Sequence, residues 1–219
     1  MKTCWLTVYL ILHVLELAFS GHEVLYKHIE RSTDIKPNEL VIVQFDSRPL
    51  DAYWNVSTRW NKAYCDKFGH KYIYISSREN CRYGTHLLSD PWCKVKAMVK
   101  VDKLFSKNSE IKAFLYLDSD AVITVNYSMT AVLSYIQQDR NWDMQSKPLA
   151  INQDGPGWSC KSALERGYPQ CLNSGTVFWM RNPKSSAILM EWWKSAGEPY
   201  ETANKFTSPW RKKVVYYTI

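Results

Sequence analysis

The stretch FLYLDSDAVI, residues 114–123, places an apolar run of strand length directly before two carboxylates, Asp118 and Asp120. A continuous apolar run of this length is typical of a strand that is covered on both faces of its sheet. The strand would therefore fix the position of the acidic pair. Aspartate is also an ordinary turn or cap residue after strands, so the pair alone leaves both a structural and a chemical role open.

Segments on both sides of this stretch alternate between strand and helix patterns. Continuous apolar runs predict strands at residues 40–45, 71–75, 113–118, 148–152 and 175–180. Apolar residues at helical spacing predict helices at residues 50–68, 91–105, 128–138 and 184–195. Strands that alternate with helices favour an α/β fold. We therefore expect an α/β/α sandwich around a mostly parallel central sheet.

The ends of the predicted helices carry recognisable signals. In the first helix, residues 50–68, the apolar residues at helical spacing are Tyr53, Val56, Trp60, Ala63 and Tyr64. Gly69 is the expected end of this helix, since glycine is common just past helix ends. A loop containing Cys81 and Gly84 is predicted before the second helix. Pro91 suits the first turn of that helix, where no amide hydrogen is needed.

The N-terminus has the character of a secretory leader. Lys2 precedes the apolar run CWLTVYLILHVLELAFS, residues 4–20, whose small residues near the end suit a signal peptidase. A transmembrane helix needs about 20 apolar residues, and this run is shorter, so a cleaved signal peptide and an uncleaved anchor both stay open. We expect a leader at residues 1–20 and a short stalk at residues 21–38, in the secretory pathway.

Cysteine usage agrees with an oxidising compartment, since five cysteines follow the leader. Cys160 and Cys171 are close enough in sequence to close a short loop. Two of Cys65, Cys81 and Cys93 are available for a second pair, and the sequence does not decide which. The chain has no CxxC and no paired histidines, so it shows no zinc pattern.

The formal net charge of +7 would suit nucleic acid, an anionic membrane or a phosphorylated ligand. Apart from Arg211-Lys212-Lys213, the basic residues are scattered along the chain, so we expect no nucleic-acid partner. The triplets Asn55-Val56-Ser57 and Asn126-Tyr127-Ser128 are acceptor sequences for N-glycosylation in a secreted chain.

Asp118 and Asp120 are expected at the carboxyl end of a strand, where ligands gather in open α/β sheets. A D-x-D pair can direct both carboxylates at Mg²⁺ or Mn²⁺, and the ion can then take oxygens from a diphosphate. One chemistry with this pattern is that of haloacid dehalogenase-type phosphatases, whose D-x-D-x-[TV] string fits residues 118–122. The other is glycosyl transfer, where the cation offsets charge on the leaving diphosphate. Two strand-and-helix units precede the pair here, which favours glycosyl transfer, because the phosphatase motif closes the first strand of its domain.

Three segments together carry a resemblance to a known family. WCKVKAMVKVDKLF at 92–105, FLYLDSDAVI at 114–123 and CLNSGTVFWMRNPKSSAILMEWW at 171–193 resemble metal-dependent GT-A glycosyltransferases. The sequence is most similar to the galactosyl/xylosyl/mannosyltransferase family of fungal Golgi mannosyltransferases and plant xyloglucan xylosyltransferases. The resemblance covers about residues 39–197. It depends on the series DSD, Leu-Asn-Ser-Gly, a strand and Arg-Asn, which is more specific than DSD alone.

The resemblance implies a nucleotide-sugar site around these motifs. Asp118 and Asp120 would bind Mn²⁺ or Mg²⁺, and Ser119 would contact the ribose. Lys94 would neutralise the diphosphate or support the D-x-D loop, with a solvated helix lysine as the alternative. The residues expected near the base are Val43, Gln44 and Phe45, and those expected near the donor sugar are Asn173, Ser174 and Gly175.

The resemblance also implies the reaction. Gln153 and Asp154 are candidates for contacts at the reacting centre, with an ordinary strand-end turn as the alternative. Enzymes of this family retain anomeric configuration: the acceptor hydroxyl attacks on the face that the diphosphate leaves, and a phosphate oxygen takes its proton. We expect transfer of a hexosyl or pentosyl unit from a nucleotide-diphosphate sugar to a glycan or glycoprotein acceptor. The expected location is the Golgi lumen, with membrane association only if the leader is uncleaved.

The sequence departs from the family in one respect. GT-A enzymes usually complete the metal site with a histidine near the C-terminus, and no histidine follows His86. Water or another carboxylate such as Glu198 would have to replace it. We therefore expect residues 39–219 to be a GT-A catalytic domain that is truncated at its C-terminus. The alternative is a non-catalytic relative that binds a sugar or a nucleotide. No oligomeric state is predicted.

Overall fold

The computed structural model describes residues 35–47, 52–77, 81–88, 90–139, 142–153 and 172–194. The strands are β1 (Leu40–Asp46), β2 (Lys71–Ser76), β3 (Arg82–Tyr83), β4 (His86–Leu87), β5 (Ala113–Asp118), β6 (Leu149–Gln153) and β7 (Leu172–Met180). The α-helices are α1 (Ala52–Phe68), α2 (Asp90–Leu104), α3 (Met129–Asp139) and α4 (Pro183–Lys194). A short 3-10 helix, Pro37–Glu39, precedes β1. The five long strands and four helices predicted from the sequence are thus confirmed, with ends that shift by a few residues.

The central sheet has the strand order β2-β1-β5-β7-β6. β2, β1 and β5 are parallel, and β7 is antiparallel to both of its neighbours. β6 therefore runs in the same direction as β5, and the mostly parallel sheet is confirmed. β5 is the middle strand, and its register with β1 places Phe45 opposite Asp118.

Helices cover both faces of this sheet, as expected for an α/β/α sandwich. α2 and α4 pack on one face and α1 and α3 on the other. In β1, Val41 and Val43 face α2, whereas Leu40 and Ile42 face the opposite core. Because both faces of β1 and β5 are buried, their sequences are apolar without alternation.

Tryptophan side chains hold α2 and α4 against the sheet. Trp92 of α2, Trp179 of β7 and Trp192 of α4 are almost completely buried. The ring of Trp179 stacks on Phe114 with centroids 4.9 Å apart, and its indole N–H donates to Asp102 of α2 over 3.2 Å. Burial of large aromatic rings supplies much of the packing energy on this face.

The buried face of α1 differs from the apolar pattern that predicted the helix. Val56 and Trp60 are 54% and 57% exposed, and Ala63 is also exposed. Among residues 55–68 of this helix, the buried ones are Ser57, Asn61, Tyr64 and Cys65. The physical reason is that α1 covers a loop as well as the sheet, and the backbone of that loop needs hydrogen-bond partners.

The predicted loop before α2 contains a short hairpin. β3 and β4 pair antiparallel around Gly84, whose φ of +58° is easily reached only by glycine. Gly69, at φ +75°, follows the end of α1 as predicted. Both glycines therefore mark points where the chain reverses.

Several predictions concern residues outside the described ranges. The leader, most of the stalk, and Cys160 and Cys171 lie outside them and stay predictions. Ile35, within the predicted stalk, is buried in the core below α1. Cys65 is a buried free thiol, and burial raises its pKa to about 12. Among the described residues, no helix has the length and apolar character needed to cross a membrane.

Candidate active site

The carboxyl ends of β1, β5 and β6 lie at one edge of the sheet, and β7 begins at that edge because it runs the opposite way. Leu117 pairs with Thr176. The next residues along the two strands, Asp118 and Gly175, are therefore neighbours. The fold thus brings several of the predicted site segments to the D-x-D pair, at the kind of edge where ligands bind in open α/β sheets.

Asp118 and Asp120 lie in a tight turn. The amide N–H of Ala121 donates to the carbonyl of Asp118 over 3.0 Å and closes the turn. The Asp118 side chain is 34% exposed, Asp120 is exposed, and Ser119 between them is buried. The two carboxylates therefore belong to one short, hydrogen-bonded segment.

Gln44 at the end of β1 holds the backbone of this turn. Its amide nitrogen donates to the carbonyls of Asp118 and Ala121 over 2.9 and 3.2 Å. Its amide oxygen accepts from the hydroxyl of Tyr72 over 2.6 Å. The Gln44 side chain is fully buried, so these bonds are shielded from water and fix the turn to the neighbouring strand.

Helix α1 holds the same segment with a polar stripe. Ser57 donates its hydroxyl to the carbonyl of Ser119. Asn61, which is fully buried, donates to the carbonyl of Ala121 over 2.8 Å and accepts from the amide of Ile123 over 2.9 Å. These side chains replace the strand pairing that a loop lacks, because buried backbone groups need hydrogen-bond partners.

Two further side chains of α1 bond to the backbone of the same loop beyond the D-x-D turn. The indole N–H of Trp60 donates to the carbonyl of Ile123 over 2.9 Å, and the hydroxyl of Tyr64 donates to that of Tyr127 over 2.7 Å. Burial raises the pKa of Tyr64 well above its usual range, so the hydroxyl keeps the proton that it donates. α1 thus supports the loop from the D-x-D turn to the start of α3.

The side chain of Asp118 is held from the opposite face of the sheet. Lys94, in α2, places Nζ 2.9 and 3.2 Å from the two carboxylate oxygens. The hydroxyl of Tyr116 donates to Oδ1 of the same carboxylate over 3.1 Å. The Lys94 side chain is 14% exposed and that of Asp118 is 34% exposed. This ion pair is therefore partly shielded from solvent, which strengthens the attraction between the charges.

Three carboxylates lie close enough to Tyr116 to affect it. Burial raises the pKa of Tyr116 well above its usual range, with further contributions from Asp118, Asp46 and Asp120. Asp46 ends β1 beside Asp118 and is 3% exposed. Asp46, Asp118 and Asp120 thus place three carboxylates near one another at this edge, and Lys94 pairs with Asp118.

The segment predicted to contact the base is mostly used for packing. The side chains of Val43 and Gln44 are fully buried, and Phe45 is 8% exposed. Phe45 borders a pocket of about 40 Å³ that is also lined by Lys96 and Lys100 of α2. Contact of this segment with a base stays a prediction, and Phe45 is the member that borders a pocket.

The segment predicted to contact the donor sugar lies at the start of β7. Asn173 pairs with Asn152, whereas Val177 pairs with Ile151, so the register shifts across residues 174–176. Ser174 is buried and Gly175 is partly buried. Irregular pairing of this kind is frequent beside active sites. Gly175 is the member of this segment that lies next to Asp118.

Gln153 ends β6, at the same edge of the sheet as the D-x-D pair. Asp154 and Glu198 lie outside the described residues. β6 is separated from β5 by β7 alone, so its backbone lies two strand spacings, roughly 10 Å, to the side of the central strand. Contact of Gln153 with the reacting centre stays a prediction.

The turn offers two carboxylates, Asp118 and Asp120, as ligands for a divalent cation. Among the described residues, no group of three histidine, cysteine, aspartate or glutamate side chains converges on a point. Mg²⁺ commonly uses only one or two carboxylates together with water and substrate phosphates. Asp118 and Asp120 fit an ion of that kind, which would complete its coordination with diphosphate oxygens.

Sequence reasoning missed the residues that hold the turn. Ser57 and Asn61 lie between the apolar residues that predict α1, and an apolar pattern carries no information about polar contacts to a distant loop. Asp46 is the last residue of an apolar strand, as Asp118 is. Tyr116 lies two residues before Asp118. The available signal was the position of polar residues at the ends of buried strands and at helical spacing between apolar ones.

Comparisons with known proteins found similarity to solved structures at low sequence identity. No protein-family model and no curated protein matches the sequence. A glycosyltransferase involved in the glycosylation of the major capsid of PBCV-1 is similar at 15% identity and a TM-score of 0.47, over 75% of this chain and 71% of that chain. A197 from STIV is similar at 9% identity and a TM-score of 0.37, over 70% of this chain and 68% of that chain.

Proposed function

We propose that this chain transfers a glycosyl unit from a nucleotide-diphosphate sugar to a glycan or glycoprotein acceptor. The observation that carries the proposal is the turn of Asp118 and Asp120, which ends the central strand and is fixed from both faces of the sheet. Lys94 and Tyr116 also hold the Asp118 carboxylate itself, which a turn that only reverses the chain would not need. Such support is expected where carboxylates must keep a defined position.

In this proposal, Asp118 and Asp120 hold Mn²⁺ or Mg²⁺, and Ser119 contacts the ribose. When bound, the cation offsets the negative charge that develops on the leaving diphosphate. Lys94 adds a second positive charge beside the turn. The resemblance in sequence, and the position of Gly175 next to Asp118, support placing the donor sugar along Asn173, Ser174 and Gly175.

The reaction is transfer of a hexosyl or pentosyl unit with retention. The acceptor hydroxyl attacks the anomeric carbon while the bond from that carbon to the phosphate oxygen breaks, and the departing diphosphate takes the hydroxyl proton. Gln153 and Asp154 contact the reacting centre. The chain works in the Golgi lumen, and residues 1–20 attach it to the membrane if the leader is not cleaved.

Histidine is a common general base, but both ring nitrogens of His70 bond to groups away from the D-x-D turn. It precedes β2 and so lies at the opposite edge of the sheet from the D-x-D turn. One ring nitrogen bonds to the carbonyl of Pro37 over 2.9 Å, and the other accepts from the amide of Met129 over 3.2 Å. A reaction in which the leaving phosphate takes the proton requires no histidine at the site.

A thermal-shift screen tests the binding part of the proposal. UDP or GDP with Mn²⁺ should raise the unfolding temperature of the wild type, and Asp120→Ala should lose that rise, because ligands that bind only the folded state stabilise it. Asp66→Ala, which removes an exposed carboxylate on α1, is the matched control and should keep it. A wild type that responds to neither nucleotide would contradict the proposal.

Measurements of turnover distinguish an active transferase from a non-catalytic binding protein and from a phosphatase. Mn²⁺-dependent hydrolysis of one nucleotide sugar, lost in Asp120→Ala, would support an active transferase. A thermal shift without turnover of any donor would instead indicate a non-catalytic binding protein. Trapping of Asp118 by beryllofluoride would indicate the phosphatase chemistry, in which that carboxylate is the nucleophile.

A further inference from the structure

The cysteines of the described residues lie on two different faces of the central sheet. Cys65, in α1, is buried in the core on the side of α1 and α3. Cys81 and Cys93 are buried in the core on the other side, with α2 and α4. A disulfide requires Cα atoms about 4.4–6.8 Å apart. Because the sheet lies between them, Cys65 has neither Cys81 nor Cys93 within that reach.

The β3–β4 hairpin brings Cys81 close to the start of α2. Cys81 comes directly before β3, and its carbonyl accepts from the amide of Leu88, directly after β4, over 2.7 Å. α2 begins shortly afterwards, and Cys93 lies in its first turn. The closed hairpin thus shortens the path between the two cysteines from residues 81–93 to residues 88–93.

Cys81 and Cys93 also line the same small pocket. Its volume is about 40 Å³, a space that holds only a few water molecules. Cys93, Ala97 and Lys100 border it from α2, where spacings of three and four residues place them on one helix face. Phe45 borders it from the sheet. Cys81 and Cys93 are 2% and 5% exposed, so they meet in a part of the core that is shielded from solvent.

We propose that Cys81 and Cys93 form a disulfide bond, which fixes the β3–β4 hairpin to the first turn of α2. This inference goes beyond the proposed function and does not depend on it. One thiolate attacks a disulfide oxidant such as oxidised glutathione, and the second thiolate then displaces glutathione from the mixed disulfide. One sulfur–sulfur bond breaks and one forms. Two electrons and the two thiol protons pass to the oxidant, which leaves as two molecules of reduced glutathione.

The bond would anchor the hairpin and the start of α2 to each other. Tyr83, in the hairpin, packs its ring on Trp193 of α4 with centroids 5.4 Å apart. The hairpin thus contacts α4 through an aromatic pair and α2 through the disulfide. Lys94, which pairs with Asp118, follows Cys93 directly. The disulfide therefore fixes the backbone from which this lysine reaches the D-x-D turn.

Peptide mapping identifies the bond directly. Arg82 separates the two cysteines for trypsin, which releases ENCR, residues 79–82, and YGTHLLSDPWCK, residues 83–94. The full chain is unfolded, refolded in a buffer of reduced and oxidised glutathione, and treated with N-ethylmaleimide in denaturant before digestion. We expect a disulfide to join these two peptides, and Cys65 to carry N-ethylmaleimide.

Two results of the mapping would overturn the inference. The first is N-ethylmaleimide on both Cys81 and Cys93, which would show that the two thiols do not pair in the folded chain. The second is a bond from either residue to Cys65, Cys160 or Cys171.

Stability measurements distinguish a bond from simple packing. Cys81→Ala and Cys93→Ala remove the same bond, so each should lower the unfolding temperature by about 5–10 °C, and the double variant should fall little further. After reduction in denaturant and refolding with a phosphine reductant, the wild type should lose most of its advantage. Effects that add, and that do not change on reduction, would show that the two side chains only pack, and would overturn the inference.

Cys65→Ala is the matched control. Cys65 is fully buried in the opposite core, so this variant loses packing but no disulfide. Its unfolding temperature should lie below that of the wild type by the same amount before and after reduction. A difference that disappeared on reduction would show that Cys65 takes part in a disulfide, and would overturn the assignment of the bond to Cys81 and Cys93.

Discussion

α1 and α2 lie on opposite faces of the same sheet and both reach the turn of Asp118 and Asp120, but they hold it differently. α1 contributes Ser57 and Asn61, whose side chains bond to the backbone of the turn and of the loop after it. α2 is mostly apolar where it meets the sheet, and it contributes one charged contact, from Lys94 to the Asp118 carboxylate. α1 therefore fixes the backbone of the turn, and α2 fixes the position of the Asp118 carboxylate.

The difference follows from what each helix covers. α2 packs on strands whose backbone groups already pair within the sheet, so apolar contact is sufficient there. α1 also covers the loop after β5, whose backbone groups have no neighbouring strand. A buried backbone group without a partner costs about 1–3 kcal/mol. A helix that shapes an active-site loop must therefore carry polar side chains on its buried face, at the expense of apolar packing.

The largest expected effect is on stability, and it is seen by replacing one tryptophan on each helix. Trp92→Ala should lower the free energy of unfolding by about 3–5 kcal/mol, because a fully buried ring leaves a cavity in the α2 face. Trp60→Ala should cost only about 1 kcal/mol, mainly the bond from its indole N–H to the Ile123 carbonyl. Urea unfolding of both variants measures the contrast, and equal costs would show that α1 packs as α2 does.

Asn61→Ala should have the next largest effect. In this variant the amide N–H of Ile123 loses its acceptor, and the carbonyl of Ala121 loses one of its donors. The free energy of unfolding should fall by about 1–3 kcal/mol. It should also reduce stabilisation by nucleotide and Mn²⁺, since the turn loses a support. Thermal unfolding with and without these ligands gives both quantities.

Ser185→Ala is the matched control for Asn61→Ala. Ser185 is buried in the first turn of α4 and donates to the carbonyl of Met180, at the opposite edge of the sheet. Its loss should lower stability to a similar extent but keep the full response to ligand. An equal loss of response in both variants would mean that general destabilisation explains the Asn61 result.

A smaller, pH-dependent effect is expected from His70, beyond the end of α1. Burial lowers its pKa below the usual 6.5, and protonation would remove the acceptor for the Met129 amide. The folded pKa is below the unfolded one, so this contribution is complete above about pH 6.5 and is lost as the pH falls. His70→Gln should unfold with a weaker pH dependence than the wild type between pH 7.5 and 5.5. An equal pH dependence of stability in the two proteins would show that groups other than His70 determine it.

The smallest effect is expected on the solvent face of α1. Lys62 and Asp66 form an ion pair over 2.7 Å, with side chains 61% and 64% exposed. Lys62→Met should change the free energy of unfolding by no more than about 0.5 kcal/mol, because such pairs are hydrated and screened. A cost comparable to that of Asn61→Ala would contradict the view that α1 contributes through its buried polar stripe.

The sequence predicted the strands and helices well because their signals are local. The runs that became β1 and β5 are apolar on both faces, and Gly69 and Pro91 mark helix ends by their own backbone chemistry. The position of Asp118 and Asp120 at the end of a buried strand was predictable for the same reason.

The supports of the site were not predictable in the same way, because they depend on contacts between distant segments. Asn61 bonds to residues sixty or more positions along the chain, and Lys94 reaches Asp118 from another helix. Val56 and Trp60 are exposed despite being apolar. A hydrophobic pattern could not show that a loop, rather than more sheet, would lie under α1.

Anomalous diffraction from crystals grown with manganese and a nucleoside diphosphate tests the central claim most directly. We predict one manganese peak at coordination distance from the carboxylates of Asp118 and Asp120, with the diphosphate bound to that ion. An occupied nucleotide without metal at the turn, or a turn whose two acids face bulk solvent with no ligand near them, would contradict a glycosyl-transfer site at this edge of the sheet.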